Sequence, residues 1–292
     1  MTFCIKYVKI ITDNFLSSVS LLHERRKWHF ATIFMKKFLS IFSALLIITS
    51  GGCGKSDDKP EQTIFSADDL TGKTIGTQLG TTGYSLAKDI DNAKVEKYQD
   101  AFEAVKALNN NRVDAVIIDE LTAQEIIRDY DNLKILPDPF NEEEYAIAYK
   151  KGNDELGQKL DDAITKLKRD GTISDISKHW IGSNPDHQPY EPKDVTRNGT
   201  LVMATNADFP PYEQEINGEI VGFDVDMAMA ICDELGMELK IKNMDFSTII
   251  TSISFGDTDI GVAGMSITPE RAENVDFTQS YALSSQVIIV KE

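Results

Sequence analysis

From residue 73 onward, short apolar runs alternate with stretches whose apolar residues recur every three or four positions. "KTIGTQLG" (73–80) reads as a strand running into a Gly-containing turn, and "TTGYSLAKDI" as the helix after it. "AKVEKYQD" leads into "AFEAVKALNNN", where Phe102, Val105 and Leu108 fall on one helical face. "VDAVIID" (113–119) is a buried strand ending in an acid, followed by helix "LTAQEIIRDY". "EEYAIAYKKG" (143–152) is a further strand. "DELGQKLDDAITKLKRDG" is a helix with Leu156, Leu160, Ile164 and Leu167 in register, and Gly171 supplies its stop.

Residues 184–198, "NPDHQPYEPKDVTRN", have no periodicity and are rich in Pro, Asn and Asp, so they read as a linker. The alternation then resumes. A strand at 201–205 precedes helix "DVDMAMAICDELG", with Val225, Ala228, Ile231 and Leu235 facing inward. Strand "MELKIKNM", helix "FSTIITSISFG" and strand "DTDIGVAG" follow, then "TPERAEN" and the apolar runs "VDFTQSYAL" and "SSQVIIVKE". Two such blocks predict two α/β lobes, each a mostly parallel sheet flanked by helices. Ligands of open α/β sheets bind beyond the carboxyl ends of the strands, so two lobes face to face predict a cleft binder.

Composition narrows the chemistry. Of 292 residues, 26% are charged and 41% hydrophobic, which suits a globular protein with a real core. The formal charge of −17 argues against nucleic acid as a partner, because phosphate binding needs clustered Lys and Arg. The sequence shows no metal-ligand cluster and no Ser/His/Asp arrangement, and nothing in it calls for a cofactor. Cys232 sits on the amphipathic helix 224–236 and reads as a small core residue.

The N-terminal region carries address information. Met35 to residue 52 combines two lysines with an apolar run from Phe38 to Thr49, which suits a secretory signal peptide. Gly51 and Gly52 before Cys53 resemble a bacterial lipoprotein cleavage site, with Ser50 standing where that pattern has an aliphatic residue. Lipidation of Cys53 and a polar tether over 53–64 are therefore expected. Residues 1–34 precede the signal and read as an upstream start-site artefact.

Several phrases closely resemble the solute-binding proteins of polar amino-acid ABC transporters: "ATNADFPPYE", "GEIVGFDVDMAMAI", "MDFSTII", "AGMSITPERAENVDFT", "LTGKTIGTQLGTTG" and "VDAVIIDE". "DELGQKLDDAITKLKRDGTISDISKHWIG" matches the helical end of the same fold. The resemblance implies a two-lobed periplasmic-binding-protein-like fold of type II. The family's order is reversed here, which implies a circular permutation with the old termini joined by 184–198. The expected boundaries are then 65–142 for lobe 2, 143–183 for a crossing strand and helices packing back on lobe 1, and 199–292 for lobe 1. A single covalent crossing, near Tyr145–Lys150, is expected between the lobes.

The resemblance also implies a site. Arg271 matches the arginine that clamps the ligand α-carboxylate, a role suited to a planar fork of donors. Ser266 is expected to add its hydroxyl and N–H to that carboxylate, and Thr82, beside Thr81, to close on it from the other lobe. Asp119 matches the acid that receives the ligand ammonium, while its position before "ELTAQE" equally suits a helix N-cap. Gly264 contributes a carbonyl, and Phe209 and Phe246 match the aromatic walls around the ligand side chain. Asn206 and Gln78 face each other as neutral amides, favouring a polar uncharged ligand such as glutamine, although Glu213 offers a negative charge nearby.

The implied function is capture of an amino acid by hinge closure and delivery to a membrane permease, by a lipid-anchored protein outside the cytoplasmic membrane. It is a binding role, not an enzyme's. The rivals are a ligand-sensing receptor domain and a dehydratase-type enzyme on the same fold. For the latter, His179 and His187 are the only histidines beyond the signal, and both lie away from the expected cleft.

Overall fold

The computed structural model describes residues 64–181 and 188–292. The upstream segment 1–34, the signal peptide, Cys53 and its tether as far as residue 63 lie outside the described residues, as do 182–187 at the start of the linker. Ile64, the last residue assigned to the tether, is buried against Leu70 and Ile75, so the fold already includes it. Among the described residues no helix is long and apolar enough to cross a membrane.

The first half runs β1 (Thr74–Gln78), α1 (Thr82–Lys88), β2 (Lys94–Tyr98), α2 (Ala101–Asn109), β3 (Ala115–Asp119) and α3 (Glu120–Ile127). β4 (Leu133–Ile135), β5 (Asn141–Tyr145), β6 (Ala148–Lys150), α4 (Asp154–Arg169) and α5 (Thr172–Trp180) complete it. After the linker come β7 (Thr200–Thr205), β8 (Asp208–Phe209), β9 (Glu213–Ile216), β10 (Glu219–Val221), α6 (Phe223–Leu235) and β11 (Glu238–Asn243). A 3₁₀ turn at Phe246–Thr248 leads into α7 (Ile249–Phe255), then β12 (Ile260–Gly261), α8 (Pro269–Ala272), β13 (Val275–Phe277) and β14 (Ala282–Lys291).

Two larger sheets organise most of these elements, and β10-β9-β8 form a small antiparallel third. The lobe 2 sheet runs β2-β1-β3-β14-β4, with β5 also paired to β14. The lobe 1 sheet runs β11-β7-β12-β6-β13. In lobe 2, β14 is antiparallel to β3, β4 and β5, while β1 is parallel to both β2 and β3. In lobe 1, β6 is antiparallel to β12 and β13, while β7 is parallel to both β11 and β12. Each sheet is therefore mostly parallel with one reversed strand. In both lobes that strand is the one just arrived from the other sheet: β6 follows β5 across, and β14 follows β13.

Three expectations change. The run 143–152 is two strands in different sheets, because the chain passes between the lobes at Ala146 and Ile147. The segment 199–292 is not all lobe 1, since β14 pairs Val287 with Ile118 and Ile289 with Ile135 in the other sheet. Among the described residues the lobes are consequently joined by two crossings, at 146–147 and 278–281, rather than one.

Packing explains the remaining differences. Val105 and Leu108 are buried in lobe 2, but Phe102 is largely exposed. Leu160, Ile164 and Leu167 of α4 and Ile176 of α5 pack on Ala228 and Ile231 of α6, as the helical register predicts, with Leu156 and Leu235 half-buried at the edge. Cys232 is a buried free cysteine in that same core. The described part of the linker is extended but anchored. Asp226 accepts hydrogen bonds from Trp180 Nε1 (2.7 Å) and Tyr190 N (2.9 Å). Asp233 accepts from Tyr190 Oη (2.7 Å), Lys193 N (2.6 Å) and Arg197 Nη2.

Candidate functional site

The carboxyl ends of β1, β3, β7 and the β12 loop open onto one cavity between the lobes. Gln78, Thr81, Thr82 and Asp119 line it from lobe 2, and Asn206, Phe209, Phe246, Gly264, Ser266 and Arg271 from lobe 1. All ten residues singled out in the sequence thus meet at one place. They do so by different local devices.

Arg271 sits on α8, which Thr268 caps by accepting from Arg271 N (3.2 Å). The residue is only 8% exposed, and its guanidinium donates to Ser266 O (2.7 Å) and, across the cleft, to Gly80 O (3.0 Å). It lies over the Phe246 ring, 5.3 Å from the centroid. Burial lowers its pKa, and the Glu143 carboxylate opposes that. Both hydrogen-bond partners are neutral carbonyls, and among the described residues Arg271 forms no ion pair.

Asp119 does both jobs the sequence suggested for it. It caps α3 by accepting from Thr122 N (2.9 Å), and it faces the cavity. Its other oxygen accepts from Tyr145 Oη (2.8 Å) and from Ser284 Oγ. Burial raises its pKa, and the hydrogen bonds from Ser284, Thr122 and Tyr145 counter part of that rise. Thr81 caps α1 in the same fashion, accepting from Tyr84 N (3.2 Å), and Thr82 opens the helix.

Other positions behave differently from expectation. The Ser266 hydroxyl donates to Glu143 Oε2 (2.7 Å), so its first partner is a carboxylate of lobe 2. Asn206 Oδ1 accepts from Gln78 Nε2 (2.8 Å), so the two amides are bonded to each other across the cleft. Gly264 has φ +52°, and a Cβ there would meet Phe209 at 2.6 Å and Tyr145 at 3.3 Å. Its missing side chain therefore makes room for the rings of the cavity wall. Glu213 does not line the cavity: it is fully buried behind Tyr212, because β9 turns its first residue inward.

Glu143, Tyr145 and Gln286 also line the cavity and were not singled out. Glu143 and Tyr145 alternate with exposed neighbours along β5, and that period of two is the signal that marks them. Gln286 Nε2 donates to Glu143 (3.2 Å) from β14. His179 stands on α5 against Trp180, away from the cavity. Among the described residues, no group of His, Cys, Asp and Glu is placed to hold a metal ion.

Two α/β lobes with two chain crossings among the described residues enclose a cleft walled by aromatic rings, with a buried arginine and a buried acid. Residues 201–292 match the family model of bacterial extracellular solute-binding proteins, family 3. The chain is 38% identical over 92 residues to the arginine-binding extracellular protein ArtP of Bacillus subtilis, covering 32% of this chain and 36% of that protein. It is 33% identical over 126 residues to the L-cystine-binding protein TcyJ of Escherichia coli K12, covering 42% of this chain and 47% of the relative. Among solved structures, the arginine-bound form of domain 1 from TmArgBP matches at 39% identity and a TM-score of 0.28, over 32% of this chain and 81% of that one. The chain spans less than half the length of the two curated relatives.

Proposed function

We propose that this chain captures a free amino acid in the interlobe cleft and presents it to the permease of an ABC importer, anchored outside the membrane through Cys53. The observation that carries the reading is Arg271, a residue 8% exposed whose guanidinium shares a cavity with Asp119 and has only carbonyl acceptors. A buried cation with no directly bonded anion is costly, and an α-carboxylate supplies one through two parallel charge-assisted bonds. Asp119 takes the α-ammonium, with Tyr145 and Ser284 yielding part of their hydrogen bonding to it. Phe209 and Phe246 hold the side chain between their rings, and Thr81, Thr82, Ser266 and Gly264 complete the contacts from both lobes.

Arginine replaces glutamine as the first candidate ligand. The relatives are named for arginine and cystine. The Asn206–Gln78 pair is bordered by Asp208, whose pKa is raised by burial and by repulsion from Asp100, Glu215 and Asp245. A cationic side chain relieves that repulsion. The chain order is read as a circular permutation of the family's, a reading supported by the two lobe sheets built from one chain. A thermal-shift screen of the twenty amino acids and cystine tests the reading. L-arginine is expected to raise the melting temperature by several degrees, and an unchanged melt across the whole panel would overturn it.

A further inference from the structure

Beneath the cleft lies a pair of acids that the binding reading does not use. Glu213 opens β9 and Asp224 is the second residue of α6; both are fully buried. The turn between the strands and the helix brings their backbones close: a Cβ on Gly222 would stand 2.9 Å from Glu213 Cα. Gly222 has φ +145°, and a Cβ there would stand 2.1 Å from Tyr212 O, so only glycine lets α6 start this close to the Tyr212 turn. Asp224 N then donates to Tyr212 O (2.9 Å), which fixes the helix start against that turn.

The hydrogen bonding around the pair is unbalanced. Asp224 Oδ2 accepts from Gly264 N (2.8 Å) and from Tyr281 Oη (2.8 Å). Asp224 Oδ1 and both oxygens of Glu213 are buried and have no donor among the described residues. Two carboxylates only accept, so an acid pair in this position closes a hydrogen bond only when one of them carries a proton.

We propose that Glu213 and Asp224 hold one proton between them at neutral pH, and that the resulting monoanion positions the Gly264 peptide in the cleft floor and the Tyr281 hydroxyl at the second crossing. Glu213 is the proton carrier and donates to Asp224 Oδ1, leaving Asp224 Oδ2 anionic toward Gly264 and Tyr281. The other titratable groups facing the pair are Asp119 across the cleft, Tyr212 on the adjoining turn and Tyr281 itself. The Asp119 carboxylate opposes a second negative charge on the pair. In agreement, burial and the neighbouring Asp224 push Glu213 well above the usual carboxylate range, and burial raises Asp224 to about 6. Glu213 and Asp224 are thus positioning residues: one acid charge serves both the floor of the site and the segment that crosses between the lobes.

The first test is infrared spectroscopy of the ligand-free full chain at neutral pH. A protonated-carboxyl band that moves on deuteration and is missing from Glu213→Gln is expected. A wild-type spectrum without that band would overturn the proposal.

Melting across pH is the second readout. The folded form holds the extra proton and the unfolded chain releases it in the ordinary carboxylate range, so wild-type stability falls as pH rises above that range. E213Q keeps a permanent donor in place of the proton and lacks this slope. Its melting temperature is expected to exceed the wild type's by about 2–4 °C on the alkaline side and to converge with it in acid. Parallel curves would sink the idea.

The third readout is the Gly264 amide proton in NMR, expected to shift as Asp224 titrates near pH 6. An amide indifferent to pH would refute the positioning role. None of the three measurements needs a ligand, so they are decided whichever way the amino-acid panel falls.

Discussion

Gln78 and Asn206 are 128 positions apart and hydrogen-bond directly, Nε2 to Oδ1 at 2.8 Å, one from each lobe. With Arg271 Nη2 to Gly80 O and Thr122 Oγ1 to Pro210 O (2.7 Å), this bond holds the lobes face to face. The contacts that close the cleft are therefore made by residues that also line it or adjoin it. A bound molecule must share those donors, and this ties closure to occupancy.

Arg271 is the sharpest test of the clamp. Arg271→Lys keeps a positive charge but loses the planar fork, so one of two parallel bonds to a carboxylate goes. Affinity for L-arginine, by titration calorimetry, is expected to fall about 10- to 100-fold, the equivalent of one charge-assisted hydrogen bond. An unchanged Kd would show that the carboxylate is bound elsewhere.

Asp119→Asn separates binding from stability. Asparagine can still cap α3, but it cannot offer a charge to an ammonium. Because burial raises the Asp119 pKa, the ionised acid costs stability once pH rises above the unfolded carboxylate range. The ligand-free variant is expected to melt at or above the wild-type temperature under alkaline conditions and level with it in acid, while the shift induced by L-arginine disappears. Loss of both stability and binding would mean that Asp119 acts only as a structural cap.

Gly264→Ala probes the cavity wall. A methyl group there meets Phe209 and forces a left-handed backbone on alanine. The expected cost is about 1–3 kcal/mol in urea denaturation, with reduced ligand affinity from the displaced ring. A neutral substitution would contradict the close approach of Phe209.

Asp233→Asn addresses the linker. In the native protein burial pushes the Asp233 pKa up, but hydrogen bonds from Lys193 N, Tyr190 and Arg197 outweigh this and leave it lowered. The stability it contributes is present above the ordinary carboxylate range and lost as pH falls through its folded value. The variant is expected to lose about 2 kcal/mol and to be cut faster by protease between residues 188 and 198. Unaltered cleavage would show that the segment is held by other contacts.

Much of the site is legible in the sequence because its residues sit in compact phrases. Arg271 and Ser266 share "SITPER", Asn206 and Phe209 share "NADF", and Thr81 and Thr82 share "GTTG". Glu143 is harder to read, because a run of three glutamates looks like solvated surface until its alternation with Tyr145 is noticed. The β9–β10 hairpin was equally available from Asn217-Gly218, both with positive φ, a strong turn signal between short strands. The lobe of β14 is a different matter. "QVIIV" is apolar on both faces and fits the centre of either sheet, so only the tertiary pairing with β3 and β4 assigns it. The number of crossings hangs on that one assignment.

The reversed strand of lobe 2 has a consequence for biosynthesis. β14 lies between β3 and β4, yet it is made after every other strand of both sheets. While the whole of lobe 1 is being translated, β3 keeps an open edge of apolar backbone, and unpaired edges of that kind invite pairing with other chains. Lobe 1 can fold as soon as β13 emerges, whereas lobe 2 must wait for the strand that closes it. A chain interrupted before residue 282 would thus carry a finished lobe beside an unfinished one, and its handling by chaperones would depend on the half that was synthesised first.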